Sequence, residues 1–397
     1  MPGTPTDPPS GATELGRRLE RTRERMRAQG LDGLLVVDPA NLHYLTGYDA
    51  WSFYMPQVLL VRLDAEPLLV MRAMDATGAH RSAALPADRI LGYPESLVHR
   101  TDAHPFDWAA AELRARGLGG GRIGYEGEAH FLTVRSFLAL REGLPGAELV
   151  DAHDLVNWVR LVKSPAELEL MRRAGAVASA AMRAGVAAVA PGVRQADVAA
   201  AIAQVQASGV GEVVGDYPAI VPMLPTGESA DTPHMTWSGR RLAAGEAVSI
   251  ELAGAHRRYH APLARTVALG RPTPELARLA AVTAEGLELV LDALRPGRAV
   301  EEVHAGWRAH LARAGYEKAS RLGYSIGIGY PPDWGERTVS VRQDDPTVLE
   351  PGMCLHVIAG MWMQGFGCEL SESVAIGEGA VEVLTDAPRE LIVREAG

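Results

Sequence analysis

Cysteine is scarce in this chain. Cys354 and Cys368 are the only two in 397 residues, and no CxxC pair or Cys/His cluster accompanies them. That excludes a disulfide scaffold and agrees with a reducing, cytoplasmic setting. Long apolar runs are missing as well. None approaches the ~18 residues a membrane helix needs, and the start MPGTPTDPPSGATELGRRLERTRERM lacks the apolar centre of a secretory signal. Positive charge is short: 39 Lys and Arg stand against 49 Asp and Glu, a net charge of −10. No basic stripe stands out, which argues against nucleic acid as a partner. Also absent are a Ser/His/Asp order, a GxSxG elbow and an HExxH zinc helix. The glycine-rich GYSIGIGYPPDWGE, 323–336, has no GK[ST] and no GxGxxG ahead of a helix, so it is no phosphate loop.

What is present suits a soluble globular protein. Hydrophobic residues make up 47% and charged residues 22%. The length implies about two domains at roughly 100–200 residues each. Residues 1–13, rich in Pro, Gly, Thr and Ser, read as disordered. Over 14–158 helices and strands alternate, the pattern of a small α/β domain. A helix, ELGRRLERTRERMRAQG, ends at Gly30; a buried strand follows, with a turn at Asp38-Pro39. The character changes near residue 160, which sets the second domain at 159–397. There Ser164-Pro165 with Glu167 forms a helix start: N-cap, proline at the first position, acid in the first turn. An Ala-rich helix then runs to Pro191-Gly192, and strand pairs and longer helices follow. The fold class is α/β (α+β).

Several stretches have residues suited to chemistry. The loop DYPAIVPMLPTGESADTPHMTW, 216–237, has four prolines and ends with His234 near Trp237. A histidine there suits proton transfer; the alternative is an ordinary surface histidine. In VSIELAG, strand alternation puts Ser249 and Glu251 opposite Val248, Ile250 and Leu252. Such a glutamate faces solvent, or it is buried with a charged partner or a shifted pKa. In HRRYHAPL, the His256-Arg257-Arg258 run reads as a solvated hairpin tip, while Tyr259 and His260 open the next strand as site candidates. Pro262 makes that strand irregular or an edge. Tyr324 lies in the glycine-rich stretch. His356 and Glu369 lie in CLHVIAGMWMQGFGCELSESVAI, where Glu369 and Glu372, three apart, cannot share a strand face. Carboxylates, histidines and aromatics together make a pocket for a small delocalised cation, with no metal or other cofactor required.

Taken together these stretches resemble the creatinase/methionine-aminopeptidase superfamily with its pita-bread fold. RLVKSPAELELMRRAGAVAS and APGVRQADVAAAI look like that family's passage into its catalytic domain. The resemblance implies a pita-bread catalytic domain preceded by a smaller creatinase-type α/β domain. The family's peptidases hold two metal ions with two Asp, one His and two Glu. Those places fall here on Glu251, Pro262, Tyr324, near Ile358, and on Ser371, with Glu369 displaced by two. One ligand in five remains, too few for a dinuclear site. Creatinase itself is a metal-free hydrolase whose histidine matches His234, but its strand glutamate falls on Ala264, which argues against creatine. TGYDAWSFY, GDYPAIVPMLPTG, TPHMTW, IELAG, RYHAPLART and LHVIAGMW…GCELSES look like the ectoine hydrolase branch.

The resemblance implies hydrolysis of a cyclic amidine bearing a carboxylate, a small zwitterion, opened to N-acetyl-2,4-diaminobutyrate. Glu251 would act on the amidinium, His234 would shuttle protons and Glu369 would hold a ring N–H. Tyr259, His260, Tyr324 and His356 would be further polar contacts. Trp51, Phe53 and Tyr54 of the WSFY loop would cap the pocket of a neighbouring subunit, which implies a homodimer. An unspecified arginine would bind the carboxylate. A metal-dependent Xaa-Pro dipeptidase and a non-catalytic pita-bread binding module are the alternatives.

Overall fold

Asp38-Pro39 starts a helix rather than a turn, and the reason is local. Asp38 accepts the backbone N–H of Ala40 at 2.9 Å as an N-cap, and Pro39, whose missing N–H costs nothing in a first turn, follows. The structure, a computed structural model, describes residues 12–395. The disorder expected over 1–13 falls outside the described residues, except that the first helix already begins at Ala12. The chain divides at Arg160/Leu161 into two units.

The first unit has a six-stranded sheet. Its strands are β1 (Gly33–Val36), β2 (Val58–Arg62), β3 (Leu68–Arg72), β4 (Ile90–Tyr93), β5 (Gly121–Tyr125) and β6 (Ala147–Asp151), in the order β4-β3-β2-β1-β5-β6. β1 runs antiparallel to β2 and parallel to β5. Helices α1 (Ala12–Ala28), α2 (Pro39–Thr46), α3 (Ala73–Ser82), α4 (Pro105–Ala115), α5 (Val134–Gly143) and α6 (Leu155–Arg160) complete it. Leu35, Val58, Val70, Phe106, Leu113 and Ile123 anchor its core. Glu126 is buried at the β1–α2 junction and accepts the N–H groups of Val37 and Asp38 and the Asn41 amide at 2.6–2.8 Å.

The second unit has α7 (Pro165–Ala188), α8 (Gln195–Ser208), α9 (Pro274–Ala293) and α10 (Val300–Ala314). Its strands are β7 (Ala247–His256), β8 (Tyr259–Leu269), β9 (Gly323–Tyr330), β10 (Asp333–Val341), β11 (Cys354–Met363), β12 (Phe366–Ile376), β13 (Val381–Val383) and β14 (Ile392–Arg394), joined in one sheet. α7 starts on the expected capping box, with Ser164 and Glu167 bonding each other's backbone N–H. It packs flat on β7 because Gly254 has no side chain. A Cβ there would meet the Ala174 carbonyl oxygen at 2.2 Å. Val248, Ile250 and Leu252 turn into the core under α7 and α8, so alternation aims Ser249 and Glu251 at the opposite face. Pro262 sits in an unbroken β8. Among the described residues, its stretch 260–266 has a ladder partner on the β7 side alone, which accommodates the missing N–H. Among the described residues no helix is long and apolar enough to cross a membrane.

Candidate active site

Two strands that are not ladder neighbours bring the carboxylates to one place. Glu251 projects from β7 and Glu369 from β12, and both are buried. Between them β8 carries Thr266, which fixes the geometry. Thr266 Oγ1 accepts the Glu369 backbone N–H at 2.8 Å and lies 3.0 Å from the hydroxyl of Ser249, on the same face of β7 as Glu251. The two glutamates line a cavity of about 470 Å³ with His234, Lys318, Arg321, Tyr324, Asp333, Trp334 and Trp362, all of the second unit. Gly360 stands opposite Glu369 in the β11–β12 register. A Cβ at Gly360 would meet the Trp362 indole at 2.6 Å, so the glycine is what lets that ring lie along the wall.

The electrostatics follow from burial. Desolvation, and then the charge of Glu369, push the Glu251 carboxyl well above the usual range, with Lys318 opposing. Glu369 is pushed up to about 7 by burial, again against the pull of Lys318. Its Oε2 has no hydrogen-bond partner among the described residues. A buried, unmatched acceptor on a residue that lines a cavity is ready for an N–H donor. Lys318 is brought down to about 8 by burial while the two carboxylates resist that shift. Its ammonium donates to the carbonyls of Ile358 and Gly360 at 3.0 and 2.7 Å and lies 5.0 Å from the centre of the Trp362 ring. Arg321 lies over the Tyr324 ring at 4.2 Å.

Of the residues singled out in the sequence, His234, Glu251, Glu369 and Tyr324 meet at this cavity. His234 is on its exposed side. Tyr324 is a wall group whose phenol accepts the Trp334 indole N–H at 2.7 Å, and burial raises its pKa well above the usual range. His356 is fully buried behind it, bonded to the Tyr324 hydroxyl at 3.1 Å and to the Ser371 hydroxyl at 2.8 Å, and burial brings its pKa down to about 3. It supports Tyr324 rather than contacting a ligand.

Packing corrects several expectations. Tyr259 is buried with its hydroxyl donating to Glu167 at 2.8 Å, a tie between β8 and the start of α7. Both ring nitrogens of His260 are held by backbone, Nδ1 at the Arg258 carbonyl and Nε2 at the Ala219 N–H, and burial brings its pKa to about 3. Neither ring lines the cavity. Phe53 is buried in the first unit, edge-on to Phe131, whereas Trp51 and Tyr54 beside it are exposed. The hairpin tip is not solvated either: Arg258 is fully buried, stacked between Tyr217 at 3.9 Å and Tyr330 at 4.4 Å. Glu372 does face away from Glu369, paired with Arg265, Arg389 and Thr385. Sequence reasoning missed Lys318, Arg321 and Trp362. For the first two the available signal was two cations just ahead of the glycine-rich strand.

Comparison with known proteins agrees with this layout. Residues 169–378 match the model of metallopeptidase family M24, and residues 18–162 that of the creatinase/prolidase N-terminal domain. Ectoine hydrolase of Halomonas elongata is 41% identical over 388 residues, covering 96% of this chain and 97% of that protein. An uncharacterized hydrolase/peptidase of Sinorhizobium fredii is 43% identical over 384 residues, covering 96% of this chain and 98% of that protein. Among solved structures, prolidase of Thermococcus sibiricus superposes with a TM-score of 0.84 at 19% identity, over 96% of this chain and 99% of its own. The second unit thus has the pita-bread fold and the first the creatinase-type fold. The chain belongs to metallopeptidase family M24, as a hydrolase whose catalytic domain follows a creatinase/prolidase N-terminal domain.

Proposed function

We propose that this chain hydrolyses ectoine, opening the cyclic amidine to N-acetyl-2,4-diaminobutyrate without a metal ion. The observation that carries the reading is the pairing of Glu251 and Glu369 in one buried cavity; the resemblance puts the family's other metal-holding places on Pro262, Tyr324, near Ile358 and on Ser371. The name of the 41% identical relative supports the choice of substrate.

The residues present do not fit the divalent ions that the family name implies. Pro262 and Ile358 have no donor side chain. The Ser371 hydroxyl is occupied by the Ala264 N–H at 2.7 Å and by His356. The Tyr324 phenol is engaged by Trp334 and His356 and held in its neutral form. Among the described residues no group of three or more His, Cys, Asp or Glu side chains is placed to hold a metal. No step below therefore runs through one.

An amidinium is flat, singly charged and carries two N–H groups. Glu369, with its unmatched oxygen, takes one N–H and part of the charge. Glu251 faces the ring carbon. It attacks that carbon itself, in which case a water cleaves the acyl–Glu251 bond after the nitrogen has left and restores the carboxylate, or it removes a proton from the water that attacks. The arriving cation favours the ionised form of a carboxyl whose ionisation burial opposes. Addition gives a tetrahedral carbon; the C–N bond then breaks, and His234 delivers the proton that lets the nitrogen leave as an amine. Arg321, the cavity's exposed guanidinium, takes the substrate carboxylate. The proposal includes a homodimer in which exposed Trp51 and Tyr54 of one copy cover the cavity of the other.

Incubation with ectoine after exhaustive chelation, followed by proton NMR, tests the reading. Ring-opened product at an undiminished rate is expected. Ring opening that returns only with manganese, cobalt or zinc would overturn the metal-free reading, and metal-dependent cleavage of an Xaa-Pro dipeptide with ectoine left intact would favour the second reading, an Xaa-Pro peptidase, a class that shares this fold.

A further inference from the structure

Lys318 is the one lysine that lines the cavity, and it is attached to it in an unusual way. It lies in an irregular stretch between α10 and β9, yet its side chain is almost wholly buried. Two of its three ammonium protons are committed to the carbonyls of Ile358 and Gly360 on β11. The Trp362 ring, 5.0 Å away, adds a face of negative potential. A fixed cation thus hangs from the backbone of β11. The buried charges near it are Glu251 and Glu369. His304 of α10, beside Arg308, and His356 of β11 also sense its charge. Glu317, Arg342, His304 and Arg308 line a second cavity, of about 300 Å³, that Lys318 shares.

Two carboxylates at full charge cannot coexist in a dry cavity without compensation. One ammonium leaves the trio at a net charge of minus one, the complement of a singly charged amidinium. We propose that Lys318 is the resident cation of this cavity. As a positioning residue, it holds Glu251 and Glu369 able to ionise together and matches the site to a monocation. The inference rests on the amidine reading above and goes further: it assigns to one side chain the charge that selects the ligand. It also accounts for the two carbonyls and the aromatic face that hold a lysine for which no direct ion pair is present among the described residues.

The test uses the full chain with Lys318→Met, and Lys318→Gln, which can still donate to the two carbonyls but carries no charge. Binding of acetamidinium is followed by calorimetry from pH 6 to 9, and ectoine turnover over the same range. Removing a cation near two buried carboxylates makes them harder to ionise. The acid limb of both profiles should move up by about one unit or more, and kcat/KM at pH 7 should fall at least tenfold while recovering in part at pH 9. Lys318→Arg should keep the acid limb where it is. An equal loss at every pH, with the limb unmoved, would mean that Lys318 only packs the wall and would overturn the proposal. So would full activity in Lys318→Gln. If Lys318→Met fails to fold, the Gln and Arg pair decides alone. If wild type binds acetamidinium but leaves ectoine intact, the substrate assignment fails while the binding profiles still judge Lys318.

Discussion

The charge of Glu369 on β12 bears on Glu251 on β7 across one buried cavity and raises the cost of ionising it. A pair held this way is expensive to keep charged, and proteins keep such arrangements chiefly where ligand or chemistry uses them. Glu251→Gln keeps the shape and removes the ionisable group. It should fold with an unchanged circular dichroism spectrum and lose ~10²- to 10⁴-fold in kcat. His234→Ala, an exposed loop change, should fold equally well and fall in the same range. Near-normal ring opening by either variant would remove that residue from the mechanism.

Arg321 can be probed from the ligand side. Its partner in the proposal is the substrate carboxylate, so the two deletions should not add. Arg321→Ala should lower kcat/KM for ectoine by about 10- to 100-fold, the worth of a charge-assisted hydrogen bond. It should leave turnover of 2-methyl-1,4,5,6-tetrahydropyrimidine, the same ring without the carboxylate, unchanged. Equal losses on both substrates would place Arg321 in the wall rather than at the carboxylate.

Glu369→Gln should stabilise the protein at pH 8 and not at pH 5. The folded-state pKa, about 7, lies above the ordinary 4.5. Between those values the native state binds more protons than the unfolded chain, so stability from this group falls as pH rises through that window. Above pH 7 the full penalty of the buried charge applies, and the neutral amide relieves about 1–3 kcal/mol of it. Urea titrations of both proteins at the two pH values check this. Stabilisation of equal size at pH 5 would contradict the assigned shift.

Glu372 carries the opposite expectation. It is buried on the other face of β12, and Arg265 and Thr385 bond to it at the base of the sheet. Glu372→Gln strips the partner from a fully buried guanidinium and should cost about 3–5 kcal/mol in a urea titration at pH 7. A loss below 1 kcal/mol would show that the carbonyls of Ser371, Ala387 and Pro388, which also accept from Arg265, suffice alone.

Much of this was legible in the residues. Ser164-Pro165-x-Glu167 announced the start of α7, because capping is a contact among neighbours in sequence. Alternation in VSIELAG put Glu251 on the face away from Val248, Ile250 and Leu252, and the three-residue offset separated Glu369 from Glu372, because side-chain direction along a strand is local geometry. What local pattern could not supply was the fate of polar groups whose partners lie far along the chain. Tyr259 and His260 had the residue types of a site, but Glu167, Ala219 and the turn of β8 itself claimed their polar atoms. Arg258 had the look of a solvated tip and was buried by Tyr217 and Tyr330. Lys318 sat in a segment with no period at all. Only the meeting of that segment with β11 turned an ordinary lysine into a buried charge beside two carboxylates, because desolvation and Coulomb attraction depend on distance in space and not on spacing in sequence.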